Sequence, residues 1–314
     1  MTIRIPRGVG VREIQELLEQ AGLIRKDIRF LLLCRLTGAG RRLQAGEFRF
    51  PYRSTPLEIL HILEQGRVVQ HRVTIPEGLT MYQTARIFSR DGWADADHFL
   101  ALCRDREFIR SLGLHQDSLE GYLFPDTYLL ARDRMDDAAL VRMMVERFLA
   151  IWRELAPAAQ EETQRHRVVI LASIVEKETG SPEERPRIAR VFLNRLEKNM
   201  PLQADPTVIY GLETFDGNLT RADLQRKTPY NTYVIRGLPA GPICSPGRAA
   251  LQAVLHPAEG QELYFVSRND GTHHFSTTLQ EHNRAVRRFQ KNRQPLRTRP
   301  APPPAAPPSS APGS

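Results

Sequence analysis

The sequence predicts an α+β protein: a small N-terminal module over residues 1–66, a larger mixed domain over 67–292, and a tail over 293–314 that stays disordered. Three observations predict it. A strand, turn and helix pattern occurs twice, in Ile3-Arg-Ile-Pro-Arg-Gly8 and in Val73-Thr-Ile-Pro-Glu-Gly78, each followed by an amphipathic run. The stretch Val168 to Val175 is apolar nearly all round, which suits a helix at the centre of a domain. From Pro295 onward Pro, Ala and Ser dominate, a composition that buries no core.

In the first module, Ile3 and Ile5 alternate as a short strand, and Val11, Ile14, Leu17 and Leu18 share one face of a helix ending near Gly22. Gly46 to Phe50 alternates as a second strand, and Pro56 to Leu63 has helical period. The second repeat continues into a helix with Tyr82, Ala85, Ile87 and Phe88. Residues 67–165 read as a connecting subdomain, helical from Ser89 to about Arg165 except for Gly121 to Tyr128. That loop, Gly-Tyr-Leu-Phe-Pro-Asp-Thr-Tyr, carries more aromatic surface than a connector needs, so it plugs a core or forms a platform for stacking rings.

Residues 166–292 form the expected core of the large domain. The buried helix is followed by a second from Glu183 to Lys198, with Pro182 at its start and Ile188, Val191, Phe192 and Leu196 in one stripe. After Met200, Pro, Gly, Asn and Tyr suggest loops with short strands. Leu263 to Val266 reads as a strand and Thr278 to Lys291 as a final helix.

With 41% hydrophobic and 25% charged residues, the 314-residue chain has the composition of a globular protein. Its net charge of +8 favours polyanions, which include nucleic acid, anionic lipid and the glycopeptide of a bacterial wall. Cys34, Cys103 and Cys244 are too scattered for a disulfide framework or a metal knuckle and read as buried thiols. No stretch reaches the ~20 apolar residues of a membrane span, and Met1 to Gln20 lacks the apolar core of a secretion signal.

The sharpest local anomaly is Ile174-Val-Glu-Lys-Glu-Thr-Gly180, acidic residues at the end of the apolar helix. Desolvation disfavours a charged carboxylate there and raises its pKa towards the range of a general acid. Glu176 and Glu178 are two residues apart and point to nearly opposite sides. Glu178 follows Val175, Ile174 and Leu171 on the more apolar face, so it is the preferred acid, with Glu176 as an outer ion-pairing residue.

Two polar loops supply candidate ligand contacts: Gln203, Asp205, Thr207 and Tyr210 in one, Tyr230, Asn231 and Tyr233 in the other, with Ser245 beyond. Amide, hydroxyl and aromatic groups at this density suit a carbohydrate and not a phosphate. Each taken singly also serves as a turn-stabilising residue. His273 and His274 would face opposite ways on a strand, and His256 and His282 lack ligand spacing, so no metal or other cofactor is expected. No nucleophile elbow, P-loop or dinucleotide turn occurs.

Several ordered runs resemble the YceG-like family of endolytic murein transglycosylases: Leu171-Ala-Ser-Ile-Val-Glu-Lys-Glu-Thr179, Val191-Phe-Leu-Asn-Arg-Leu196, Leu202-Gln-Ala-Asp-Pro-Thr-Val-Ile-Tyr-Gly211, Tyr230-Asn-Thr-Tyr233, Gly237-Leu-Pro-Ala-Gly-Pro-Ile243 and Ser245-Pro-Gly247. The resemblance covers about residues 2 to 290. It implies an N-terminal LysM-like module, a lysozyme-like central helix, and Glu178 as the catalytic residue in the Glu-Thr pair. It also implies non-hydrolytic cleavage of the MurNAc to GlcNAc β-1,4 bond of peptidoglycan, leaving 1,6-anhydro ends and ending the elongation of nascent strands. Family members carry an N-terminal transmembrane helix, whereas nothing hydrophobic precedes Ile3; the expectation is a catalytic domain facing the periplasm, near the cell-wall synthesis machinery, whose inner-membrane anchor is absent from this sequence. The competing reading is a non-catalytic wall-binding or divisome scaffold protein. Nucleic-acid binding rests on charge alone and is not expected.

Overall fold

A computed structural model describes residues 1–132, 135–157 and 161–291. They divide into a compact unit ending at Gln261 and a smaller one beginning at Glu262. The boundary expected at residue 66 is therefore internal to the first unit, and the expected tail at 293–314 lies outside the described residues.

The chain opens with β1 (Thr2–Ile5), α1 (Val11–Gln20), α2 (Arg29–Thr37), a 3-10 turn (Ala39–Arg41), β2 (Gly46–Arg49) and α3 (Pro56–Gln65). β1 and β2 pair antiparallel, Thr2 opposite Arg49 and Ile5 opposite Gly46. Alternation in β1 sends Ile3 and Ile5 inward, where they meet Ile14, Leu18, Phe30, Phe48 and Leu63 in one apolar cluster. Thr55 and Glu58 form a capping box that fixes the start of α3.

The repeat of the opening pattern gives β3 (His71–Thr74) and α4 (Met81–Arg90), followed by α5 (Ala96–Leu102), α6 (Arg106–Ser111), β4 (Thr127–Leu130) and α7 (Asp137–Leu155). β3 and β4 pair antiparallel, Thr74 opposite Thr127. Between α6 and β4 the aromatic loop turns inward: Tyr122 and Leu123 are wholly buried, and the Tyr122 ring meets Phe148 edge-on at 4.9 Å. Gly121, at φ +85°, leaves no space for a Cβ, which would lie 2.6 Å from Pro242 and 2.9 Å from Val169. The loop is a core plug, and the platform alternative is set aside.

Then come α8 (Glu162–Glu178), α9 (Arg185–Glu197), α10 (Asp205–Tyr210), α11 (Arg221–Gln225) and α12 (Arg248–Leu255). All residues from Val169 to Val175 are buried, as the all-round apolar pattern requires. α12 packs against both α8 and α9. Two expectations need correction. The second helix starts at Arg185, with Pro186 in its first turn, while Pro182 lies in the preceding turn. The segment after Met200 holds three short helices where short strands were expected: Pro206, Thr220 and Gly247 start helices there.

In the second unit, β5 (Tyr264–Ser267) and β6 (His273–Ser276) form a hairpin through Asn269 and Gly271, both at positive φ, and α13 (Leu279–Val286) continues into a π-type turn, Arg287–Lys291. The strand and helix match the expected segments, and β6 was not foreseen. All three cysteines are buried and free. No helix among the described residues is long and apolar enough to cross a membrane.

Candidate active site

Two carboxylates near the end of α8 separate as helical geometry demands. Glu176 turns inward: Arg185 donates to its Oε1 at 3.0 Å and the Gly247 N–H, at the start of α12, donates to its Oε2 at 2.9 Å. Its side chain is 6% exposed, so the expected ion pair exists but is buried, not outer. Burial pushes its pKa up, opposed by the Gly247 N–H and the Arg185 charge. This carboxylate ties α8, α9 and α12 together.

Glu178 is the last helical residue, because Thr179 turns extended at φ −146° and ψ 139°. Its side chain is partly exposed. Desolvation first, then the negative charge of Asp205, push its pKa up to about 7, while Arg195 pulls it down; no hydrogen bond contributes. A carboxyl poised near neutrality with its proton uncommitted can donate that proton to a substrate and take one back.

Asp205 is exposed, begins α10, and accepts a hydrogen bond from the Tyr233 hydroxyl at 2.6 Å. Burial and that bond raise the phenol of Tyr233, so it stays a donor. Arg195, on α9, is 8% exposed and donates to the Leu202 carbonyl at 2.8 Å. The positive charge beside Glu178 is thus fixed by a backbone carbonyl of the loop that also carries Asp205.

The two polar loops meet as the sequence suggested, through Thr232: its carbonyl accepts from Gln203 N at 3.0 Å, and its hydroxyl from Ala204 N at 3.0 Å. Gln203 is exposed and held at φ +53°, a left-handed conformation that these bonds maintain. Tyr210 and Tyr230 pack edge to face at 4.8 Å, both partly exposed.

Three expected contacts are placed inside instead. Thr207 is wholly buried and its hydroxyl donates to the Ala204 carbonyl at 2.7 Å. Asn231 is wholly buried, its amide nitrogen donating to the carbonyls of Asp223, Leu224 and Arg226. Ser245 is 1% exposed, and its backbone pairs with Gly78 and Leu79 while its hydroxyl is buried without a partner among the described residues. They hold the loops in shape, because buried backbone carbonyls and N–H groups in irregular segments need side-chain or backbone partners. The structure places Glu178, Asp205, Tyr233, Gln203, Tyr210 and Tyr230 at accessible positions around α10.

Sequence reading missed two residues. Arg195 lay inside the second helix beside its apolar stripe and gave no signal of its effect on a carboxylate. Glu120, just before the aromatic loop, is 3% exposed; it accepts from Met81 N at 3.1 and 3.2 Å and from the Tyr210 hydroxyl at 3.0 Å. Burial pushes it up to about 7 against those bonds. The one available signal was a carboxylate directly flanking a strongly apolar loop.

The YceG-like family model matches residues 3–288. An endolytic murein transglycosylase of Bacillus subtilis is 29% identical over 307 residues, which is 92% of this chain and 84% of that protein. One from Streptococcus pneumoniae is 29% identical over 322 residues, 91% of this chain and 58% of that protein. A crystal structure of a YceG-like protein from Listeria monocytogenes superposes with a TM-score of 0.61 at 31% identity, covering 90% of this chain and 98% of that one.

Proposed function

The chain belongs to the YceG-like family, and from that premise we propose that it is a lytic transglycosylase of peptidoglycan glycan strands with Glu178 as its acid and base. The observation that carries this reading is the Glu178 carboxyl itself, raised to about 7, without a hydrogen bond from the described residues, and partly open.

Glu178 donates its proton to the oxygen bridging MurNAc C1 and GlcNAc C4, and the C1–O bond breaks with GlcNAc leaving as an alcohol. The resulting carboxylate takes the proton from the muramyl 6-hydroxyl as O6 bonds to C1, which closes a 1,6-anhydro ring and restores the acid. No water is consumed, so one carboxyl suffices where ordinary glycosidases employ two. The charges beside it suit both halves. Asp205 keeps Glu178 protonated before the first transfer, and Arg195 steadies the carboxylate after it.

Mass spectrometry of purified wall strands digested with the protein tests this. Anhydro-muramyl ends are expected; reducing ends carrying added water would make the enzyme a hydrolase. The β-α-α-β order of residues 2–49 supports a LysM-like, glycan-holding module. The proposal extends, on resemblance, to release of nascent strands at the periplasmic face of the inner membrane beside the synthetic machinery. Cell fractionation checks the location.

A further inference from the structure

The face of α8 that carries Glu178 carries a second feature toward its other end. Arg167 lies eleven residues earlier, which at about 100° per residue is three turns plus about 20°, and at about 1.5 Å per residue is roughly 16 Å along the axis. Arg167 and Thr163 are exposed there, on the wall of a cavity of about 620 Å³ that Asp117, Glu120 and Tyr230 also line.

This cavity connects to the catalytic carboxyl residue by residue. Asp205, whose charge bears on Glu178, begins α10; Tyr210 ends α10 and packs on Tyr230; Tyr230 lines the cavity. Glu120, in the cavity lining, holds Tyr210 by its hydroxyl at 3.0 Å. One short helix therefore carries the Glu178 partner at its start and contacts the cavity wall at its end.

The lining selects a neutral polyhydroxylated ring. Tyr230 offers an aromatic face with a polar tip. Asp117 accepts from hydroxyls or an amide N–H, while Thr163 and Arg167 donate to ring oxygens or an acetyl carbonyl. Phosphate and other anions are disfavoured, because the Asp117 and Glu162 carboxylates both line the cavity. We propose that this cavity is a distal sugar subsite for the same glycan strand, holding an N-acetylhexosamine ring several residues from the bond that is cut. The inference rests on the proposed function and adds a requirement for strand length.

Uncrosslinked glycan oligomers of graded length test it, with the Arg167→Ala/Asp117→Ala protein beside the wild type. Wild-type kcat/KM rises once the oligomer spans from Glu178 to the cavity. In the double variant the ratio of long-strand to short-strand kcat/KM falls about tenfold, the equivalent of about 1.4 kcal/mol of binding, and the loss lies in KM. Equal losses on short and long strands, or none, overturn the subsite. Binding of the same oligomers to the Glu178→Gln protein, with and without the two added substitutions, reads the subsite without cleavage. If the wild type cuts no strand while the length-dependent binding persists and responds to the substitutions, the proposed function fails and the subsite stands. If binding is indifferent to length, the subsite fails whatever the cleavage assay shows.

Discussion

The end of α8 and the turn beneath α4 each hold a glutamate that burial pushes up to about 7, yet the two do different work. Glu120 accepts from the Met81 N–H, the Tyr210 hydroxyl and the Gly121 backbone, so its oxygens are committed to fastening α4 and α10. Glu178 has a similar elevation, arising from desolvation and the Asp205 charge, and no hydrogen bond contributes to it. Desolvation sets how readily each carboxyl holds a proton, but only the uncommitted one can hand it over.

Glu178→Gln should break that contrast most. It keeps the shape and removes the transferable proton, so kcat for strand cleavage should fall by about 10² to 10⁴, read from release of new muramyl ends. Glu120→Ala is expected to act on the other side of the comparison. It leaves the Met81 N–H and the Tyr210 hydroxyl without their acceptor, which costs about 3 kcal/mol of unfolding free energy in a denaturant titration. Its kcat should stay much closer to wild type than that of Glu178→Gln, with KM raised through the displaced Tyr210.

Linkage sharpens the comparison. Both carboxyls have folded-state pKa values raised from 4.5 to about 7, so in that window the folded chain binds more protons than the unfolded one. Stability from these groups therefore falls as pH rises from about 4.5 through about 7 and levels off above. Thermal unfolding of Glu178→Gln should match wild type near pH 4 and exceed it at pH 8, by up to about 3 kcal/mol for a shift of this size. A wild type that gains relative stability as pH rises across that window would have the sign reversed. The smallest effect is expected from Tyr233→Phe. Without the hydroxyl at 2.6 Å, the Asp205 charge bears more fully on Glu178, and the alkaline limb of the kcat/KM profile moves up by less than about one unit.

The same contrast shows what the sequence disclosed. Glu178 was legible because its helix stripe, with Leu171, Ile174 and Val175, sets its environment locally. The strand-helices-strand opening was legible from Ile3, Ile5 and Gly46 to Phe50 for the same reason. Glu120 and Arg195 were not, since their roles depend on partners outside their own element, Tyr210 at a separation of ninety residues and Glu178 on another helix. Asn231, Thr207 and Ser245 were misplaced because polar side chains that fasten a buried loop have the same composition as those that contact a ligand. Pro206 and Gly247 suggested loops after Met200, and they begin helices.

The central claim is that the Glu178 carboxyl holds an uncommitted proton near neutral pH, and a carboxyl titration by NMR of side-chain-labelled glutamates measures this most directly. Two glutamate resonances should titrate near 7, and the one that disappears in Glu178→Gln should survive in Glu120→Ala and share its midpoint with the alkaline limb of kcat/KM. A Glu178 resonance titrating near 4.5, as in an exposed glutamate, would contradict it.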